Sequence, residues 1–225
     1  MQPQEAHPII IIDDHPIVRE GMTRFLNSQD DLEVCCEAGS TEEALAMMQN
    51  HAPELAIVDI SLKKESGLDL IKTLRRIYPQ LRMLAMSQHD ETIFAERALH
   101  AGANGYLMKQ EATVNILQAV RQVLAGDVYL SVAMQSRLTQ QLLSLRGGGT
   151  EGRPGRASRQ MSGLSEREFE ILHLIGLGFG TRQIAEKLNR SIKTVEAHRA
   201  SLKDKLQQKS GADLVRFAAQ WLEER

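Results

Sequence analysis

Three aspartates, a serine and a lysine stand at the ends of four short apolar runs in this 225-residue chain. Residues 9–12, all isoleucine, lead into Asp13 and Asp14, and residues 55–58 lead into Asp59. Residues 83–86 end at Ser87, and residues 105–108 end at Lys109. Gathered in one place, three carboxylates repel one another unless a cation neutralises them. Mg²⁺, a hard ion that keeps several waters beside a few carboxylates, suits such a set. An aspartate carboxylate can attack phosphorus and form an acyl phosphate. The charge of a transferring phosphoryl group lies on its equatorial oxygens, so catalysis is positioning plus electrostatic stabilisation. Mg²⁺, the Lys109 ammonium and the Ser87 hydroxyl supply one contact for each of those oxygens. The set contains neither a histidine–serine pair nor a zinc cluster, and points to phosphorylation.

What must position these residues is a parallel sheet. Short apolar runs that alternate with helical patterns read as strands buried on both faces. In an open sheet of this kind the carboxyl ends of the strands share one edge, where ligands bind. Helices are expected over about 15–28, 40–50, 66–77, 90–101 and 111–126. Ser40 with Glu43 reads as a capping box opening the second. Strand–helix alternation implies right-handed crossovers, with helices on both faces of the sheet.

These residues resemble the receiver domain of two-component response regulators: Asp13-Asp14 after the first strand, Asp59 after the third, Ser87 after the fourth and Lys109 after the fifth. The likeness runs from residue 8 to about residue 127. It implies a doubly wound, five-stranded parallel α/β fold with Asp59 as phosphoacceptor. Asp14 and Asp59 would ligate Mg²⁺, with Asp13 nearby through water and the Ser61 backbone carbonyl completing the protein ligands. Ser87 and Lys109 would read the phosphoryl group, and Tyr106 occupies the position of the family's rotating switch aromatic. Two features depart from the family pattern. Gln110 stands where proline often follows the lysine, and a cis bond there would cost roughly 2.5–4 kcal/mol without proline. The loop at 61–67 carries Lys63 and Lys64 and lacks the usual proline. His15, beside the acid pair, reads as a surface cap rather than a catalyst.

Composition limits the alternatives. The apolar runs are too short to span a bilayer, and the first residues lack the basic-then-apolar layout of a secretory signal, so a cytoplasmic protein is expected. Cys35 and Cys36 are adjacent within a strand, where neighbours face opposite sides; neither a disulfide nor a metal site is expected of them. The charge is uneven. Residues 1–130 hold 11 Lys/Arg against 19 Asp/Glu, a net of −8; residues 131–225 hold 16 against 10, a net of +6. An acidic half joined to a basic half suggests that only the second meets a polyanion.

Residues 131–145 read as a helix with Leu138, Leu142 and Leu145 on one face. Residues 146–161 then hold five glycines, Pro154 and four arginines, a flexible linker reaching roughly 20 Å as coil. The expected division is therefore a receiver domain over 1–127, a helical and Gly/Arg-rich linker over 128–161, and a second domain over 162–225. Ser165 with Glu168 makes a second capping box. Helices follow over 166–176, 181–188, 192–207 and 211–223. The short turn at 189–191 gives helix-turn-helix geometry, and Ile192, Val195, Leu202 and Leu206 form an expected buried stripe. The residues Leu164-Ser165-Glu166-Arg167-Glu168, Ile184-Ala185, 191–195, His198-Arg199 and Lys205-Leu206 resemble the LuxR-type DNA-binding domain of the NarL/FixJ regulators. By that resemblance the helix at 192–207 enters the major groove. Lys193, Thr194, Arg199, Lys203 and Lys205 would hold phosphates, while Glu196, Ala197 and Ala200 face bases. Glu196 has two open readings, accepting from cytosine N4 or tolerating solvent.

The expected protein is thus a response regulator, not an enzyme in the turnover sense, whose receiver catalyses only its own phosphorylation and dephosphorylation. Its implied partners are a sensor histidine kinase, double-stranded promoter DNA, a second copy on activation and RNA polymerase as a further candidate, with no membrane. A phosphatase with an aspartyl nucleophile is a rival. It fits less well, because phosphatases of the dehalogenase type place their two acids two apart after strand one. A regulator whose receiver works by protein contact, without phosphorylation, is the other alternative. Tyr106 as plain packing, Ser87 as a helix cap and the last helix (Val215, Ala218, Ala219, Leu222) as core rather than dimer surface also stay open.

Overall fold

The structure, a computed structural model, describes residues 6–62, 66–88, 91–146, 161, 163–188 and 190–223. It divides into two compact units, residues 1–143 and 144–225. The loop lysines Lys63 and Lys64, and the Gly/Arg-rich segment 147–160, lie outside the described residues.

The first unit alternates β1 (His7–Ile12), α1 (Pro16–Leu26), β2 (Leu32–Ala38), α2 (Thr41–Asn50), β3 (Leu55–Asp59), α3 (Gly67–Ile77), β4 (Arg82–Ser87), α4 (Glu91–Ala101), β5 (Gly105–Met108) and α5 (Ala112–Leu124). All strand pairs are parallel, in the order β2-β1-β3-β4-β5. Every residue of β3 is buried, as a strand sandwiched between helical layers must be. Alternation sorts the strands' side chains by face: Ile9, Ile11, Leu55, Ile57, Leu84, Met86 and Leu107 join Leu26 and the α5 residues Ile116, Ala119, Val120 and Val123 in one core. The order reverses between β1 and β3. That switch point is where a ligand crevice opens at the carboxyl ends of the strands.

Caps set where the helices begin. Ser66 accepts from the Asp69 amide and opens α3. Ser40 accepts from the Glu43 amide at 3.2 Å, but the Glu43 carboxylate reaches past Ser40 to the Gly39 amide at 2.7 Å. The expected box at α2 is thus closed one residue further back.

After α5 the chain returns along the sheet. Tyr129 bridges in parallel to Gly105, its carbonyl accepts from the Tyr106 amide at 2.9 Å, and its own amide donates to Asn104 at 3.1 Å. A Cβ on Gly105 would lie 2.9 Å from that carbonyl, so only glycine admits so close an approach. The Ser131 amide then donates to the Glu91 carboxylate at 2.8 Å, and α6 (Val132–Arg146) begins with Leu130 and Met134 buried. Leu138 on α6 is half-buried; the side chains of Leu142 and Leu145 lie outside the described residues.

The second unit is helical: α7 (Glu166–Gly176), α8 (Thr181–Lys187), α9 (Ile192–Lys205) and α10 (Gly211–Glu223). At α7 the Ser165 capping box is complete in both directions. Val195, Leu202 and Leu206 are buried as expected, but Ile192, the first residue of α9, is 47% exposed. In α10, Leu214, Ala218 and Trp221 are core and Val215 is exposed. The Trp221 ring meets Phe169 edge-on with centroids 5.3 Å apart. Ala218 therefore belongs to packing, while Val215 is exposed and Ala219 and Leu222 are half-buried.

Candidate functional site

Strand register brings the acidic residues together. Ile12 pairs with Val58, which places Asp13 beside Asp59, and Asp59 itself pairs with Met86, one residue before Ser87. Ser87 pairs with Met108, one residue before Lys109. Five residues spread over 97 positions of sequence thus end on one sheet edge.

The Lys109 ammonium lies 2.6 Å from Asp13 Oδ2 and 2.8 Å from Asp59 Oδ2. The other Asp59 oxygen accepts from the Ser61 amide at 3.0 Å. Asp13, Asp59 and Ser87 are at most 1% exposed, and Asp14 is buried. Burial pushes the Asp59 carboxyl up, and Asp13 adds to this; Lys109 and the Ser61 amide pull it down, and the net direction is upward. Burial works against the Lys109 charge, but Asp59 and Asp13 more than offset it, so Lys109 titrates above the ordinary lysine value and is an ammonium at neutral pH. The Lys109–Gln110 bond is trans, as no described peptide bond is cis. Lys109 opens a turn of 3-10 helix (Lys109–Glu111) and reaches both aspartates.

Ligand atoms of Asp13, Asp14, His15 and Asp59 lie within 4.8 Å of one another. A nearly all-oxygen set of this kind fits Mg²⁺. His15 departs from its expected role: its side chain makes no cap bond on α1. Instead its amide donates to Asp13 Oδ1 at 2.8 Å, and its Nδ1 lies 3.1 Å from Asp13 Oδ1 and 3.0 Å from Asp14 Oδ1.

Gly67 is a site residue that motif reading passed over. Its amide donates to the Ile60 carbonyl at 3.1 Å, and a Cβ there would collide with the Asp59 carbonyl and lie 2.6 Å from Ile60 Cα. α3 therefore starts hard against the backbone that presents Asp59. The signal in the sequence was a glycine at the first position of a helix, where propensity disfavours it. Tyr106 is 1% exposed, with its ring inside.

On the second unit α9 presents Lys193, Thr194, Glu196, Ala197 and Ala200 to solvent, with Arg199 and Lys203 half-buried. The Ser191 hydroxyl caps the helix by accepting from the Thr194 amide at 3.0 Å. Lys205, expected on a phosphate, is exposed at the end of α9 with its ammonium 2.7 Å from Glu168 Oε2. The Ser201 hydroxyl donates to Glu168 Oε1 at 2.6 Å, and the Ser165 amide donates to Oε2 at 2.8 Å. Burial would raise the Glu168 carboxyl, but Lys205, Ser201 and Ser165 hold it down at about 2. Glu168, read from sequence only as a cap, is the buried anion that ties α7 to α9.

Comparison with known proteins covers both units. The family model for the response regulator receiver domain matches residues 9–121, and that for bacterial regulatory proteins of the luxR family matches residues 162–218. The transcriptional activator protein ExaE of Pseudomonas putida is 40% identical over 210 residues, 93% of this chain and 94% of that protein. The oxygen regulatory protein NreC of Staphylococcus carnosus is 37% identical over 213 residues, 93% and 95% of the two chains. Among solved structures, RcsB from Salmonella enterica serovar Typhimurium, bound to promoter rprA in the presence of the phosphomimetic BeF3−, is 26% identical. It aligns with a TM-score of 0.57 over 96% of this chain and 99% of its own.

Proposed function

The chain belongs to the two-component response regulators that join a receiver domain to a LuxR-type DNA-binding domain, and from that premise we propose that Asp59 is its phosphoacceptor. Members of this family are transcription regulators rather than turnover enzymes, and receiver domains bind Mg²⁺ through acidic residues. Here Asp13, Asp14, Asp59 and the Ser61 carbonyl would hold the ion, which when bound screens the carboxylates and an oxygen of the incoming phosphoryl group. A sensor histidine kinase supplies that group. The Asp59 carboxylate attacks phosphorus as the bond to the donor breaks. The Lys109 ammonium, released from Asp59 Oδ2, takes one phosphoryl oxygen and the Ser87 hydroxyl another. The position of Lys109, within 2.8 Å of both Asp13 and Asp59, carries this reading.

The output is control of DNA binding and dimerisation. Movement of Ser87 toward the phosphoryl group biases the packing of Tyr106, whose amide is bonded to Tyr129, and the start of α4, whose Glu91 holds Ser131. Both contacts lead to the segment that joins the receiver (1–127), through residues 128–161, to the DNA-binding domain (162–225). Two copies then set their α9 helices in successive major grooves about one helical turn apart. No helix of the described residues is long and apolar enough to cross a membrane.

The test is to incubate the full chain with acetyl phosphate and Mg²⁺. Its intact mass should rise by one phosphoryl group, and Asp59→Asn should not gain it. Beryllofluoride with Mg²⁺ should promote dimerisation and tighten promoter binding in the wild type alone. Equal DNA affinity with and without beryllofluoride would favour a receiver that works by protein contact.

A further inference from the structure

Cys35 and Cys36 are the only cysteines of the chain, and regular alternation along β2 would set their side chains on opposite faces. The β1–β2 ladder breaks that alternation. Ile9 pairs with Val34 and Ile10 with Cys36, so Cys35 is an inserted residue, the extra member of a β-bulge. Its thiol turns toward the Ile9 carbonyl, with Sγ and oxygen 3.4 Å apart, and its sulfur comes within 3.7 Å of the Cys36 sulfur. Both thiols are free and half-buried, on a strand at the edge of the sheet. We propose that the bulge makes Cys35 and Cys36 a dithiol site for a trivalent metalloid of the arsenite or antimonite class.

The sulfur separation suits two bonds to one central atom. Two thiolates on a tetrahedral ion, each about 2.3 Å from it, lie roughly 3.8 Å apart, and the narrower bond angles of a pyramidal centre require the two sulfurs to close slightly from there. A structural zinc site would need four protein ligands. Among the described residues, no cluster of three or more His, Cys, Asp or Glu ligand atoms includes either cysteine. A pyramidal trivalent metalloid needs only two protein sulfurs, because its third bond goes to a hydroxyl group it brings from water. The condensation balances: As(OH)₃ and two thiols give a bis-thiolato As–OH and two waters. Two As–O and two S–H bonds break, two As–S and two O–H bonds form, and no element changes oxidation state. Burial, helped by Cys35, pushes the Cys36 thiol up to about 12. Cys36 is thereby kept protonated and slow to oxidise, whereas condensation removes the thiol protons as water.

The probe is phenylarsine oxide, which joins two thiols and releases one water. Added to the full-length protein, it should give one adduct per chain by native mass spectrometry, with loss of both free thiols. Excess ethane-1,2-dithiol should reverse the adduct and a monothiol should not. C35S and C36S should each bind roughly 100-fold more weakly, since the second bond is intramolecular only when both sulfurs are present. Adjacent cysteines capture such a reagent to some degree in any chain, so the titration is repeated in urea, where the folded wild type should bind more tightly than the unfolded chain. Absence of an adduct on the folded protein, an adduct of undiminished affinity in either variant, or binding by the unfolded chain as tight as by the folded one would overturn the proposal.

Discussion

The Ser131 amide donates to the Glu91 carboxylate at 2.8 Å, so the first residue of α4 holds the residue that precedes α6. Glu91 is buried, and a hydrogen bond to a charged acceptor stabilises by about 1.5–3 kcal/mol. Glu91→Ala should therefore raise amide hydrogen exchange at Ser131 by roughly tenfold or more. Exchange within β3 should stay at the wild-type rate. Unchanged exchange at Ser131 would remove this contact from the proposed route between Ser87 and the linker.

At the receiver site, burial and Asp13 raise the Asp59 carboxyl, which has a definite sign for stability. An acid whose pKa is raised on folding contributes stability below its unfolded value of 3.8 and loses it as pH rises through the higher folded value. At neutral pH the charged Asp59 is thus a cost to the fold. Asp59→Asn should raise the thermal midpoint at pH 7 in the absence of Mg²⁺, and the gain should shrink toward pH 3. Added Mg²⁺ should stabilise the wild type by mass action and the variant much less, as read by differential scanning calorimetry.

Much of this site was legible in the sequence, because an apolar run ending in a polar residue marks both the strand and its carboxyl end. Four of the five strands, β1, β3, β4 and β5, and the meeting of Asp13, Asp59 and Lys109 follow from that pattern. What escaped notice depends on geometry that residue types do not encode. The closeness of the two cysteines comes from a register shift between Ile9 and Ile10, and strand alternation assumes unbroken register. Lys205 sits at a DNA-binding position by motif, yet its ion pair reaches the buried Glu168 37 residues earlier, a tertiary contact that spacing does not encode. Ile192 fits a helical stripe but stands at the first position of α9, where it is left exposed.

Gly67 predicts a steric effect. Its missing Cβ leaves room for the Asp59 carbonyl and Ile60 Cα. Gly67→Ala must push α3 away from the end of β3 and move Asp59 relative to Asp13 and Lys109. We expect a loss of about 1–3 kcal/mol, as for overpacking in a rigid site, and slower phosphorylation by acetyl phosphate at saturating Mg²⁺. A variant that matched the wild type in both rate and urea midpoint would show that the loop yields at no cost.

Glu168 predicts acid sensitivity in the second unit. Its pKa falls from 4.5 to about 2 on folding. A depressed acid contributes stability above its unfolded pKa and loses it as pH falls through the folded value. The contribution should be full above pH 4.5 and fade toward pH 2. It is on the order of 2 kcal/mol once solvent screening of the 42% exposed Lys205 is allowed for. Trp221, the only tryptophan, packs on Phe169 beside Glu168 and reports this unit by fluorescence. Glu168→Gln should lower the urea midpoint of Trp221 at pH 7 and flatten its pH dependence between 5 and 3.

Two of the three lysines of α9, Lys193 and Lys205, predict opposite behaviour on DNA. Lys193 is exposed near the helix start, whereas Lys205 pairs with Glu168 at 2.7 Å. Each phosphate contact contributes about −0.9 to the slope of log affinity against log salt. Lys193→Ala should therefore weaken binding to all duplexes alike and reduce the slope by roughly 0.9. Lys205→Ala should leave the slope close to that of the wild type but lower the Trp221 urea midpoint, since it strands a buried carboxylate. Glu196→Ala should change which sequences are preferred, with little effect on the slope, if its carboxylate accepts from cytosine N4. Fluorescence anisotropy on selected and scrambled duplexes across a salt series separates the three. A salt slope reduced by Lys205→Ala as much as by Lys193→Ala, with the urea midpoint unchanged, would return Lys205 to the phosphate backbone.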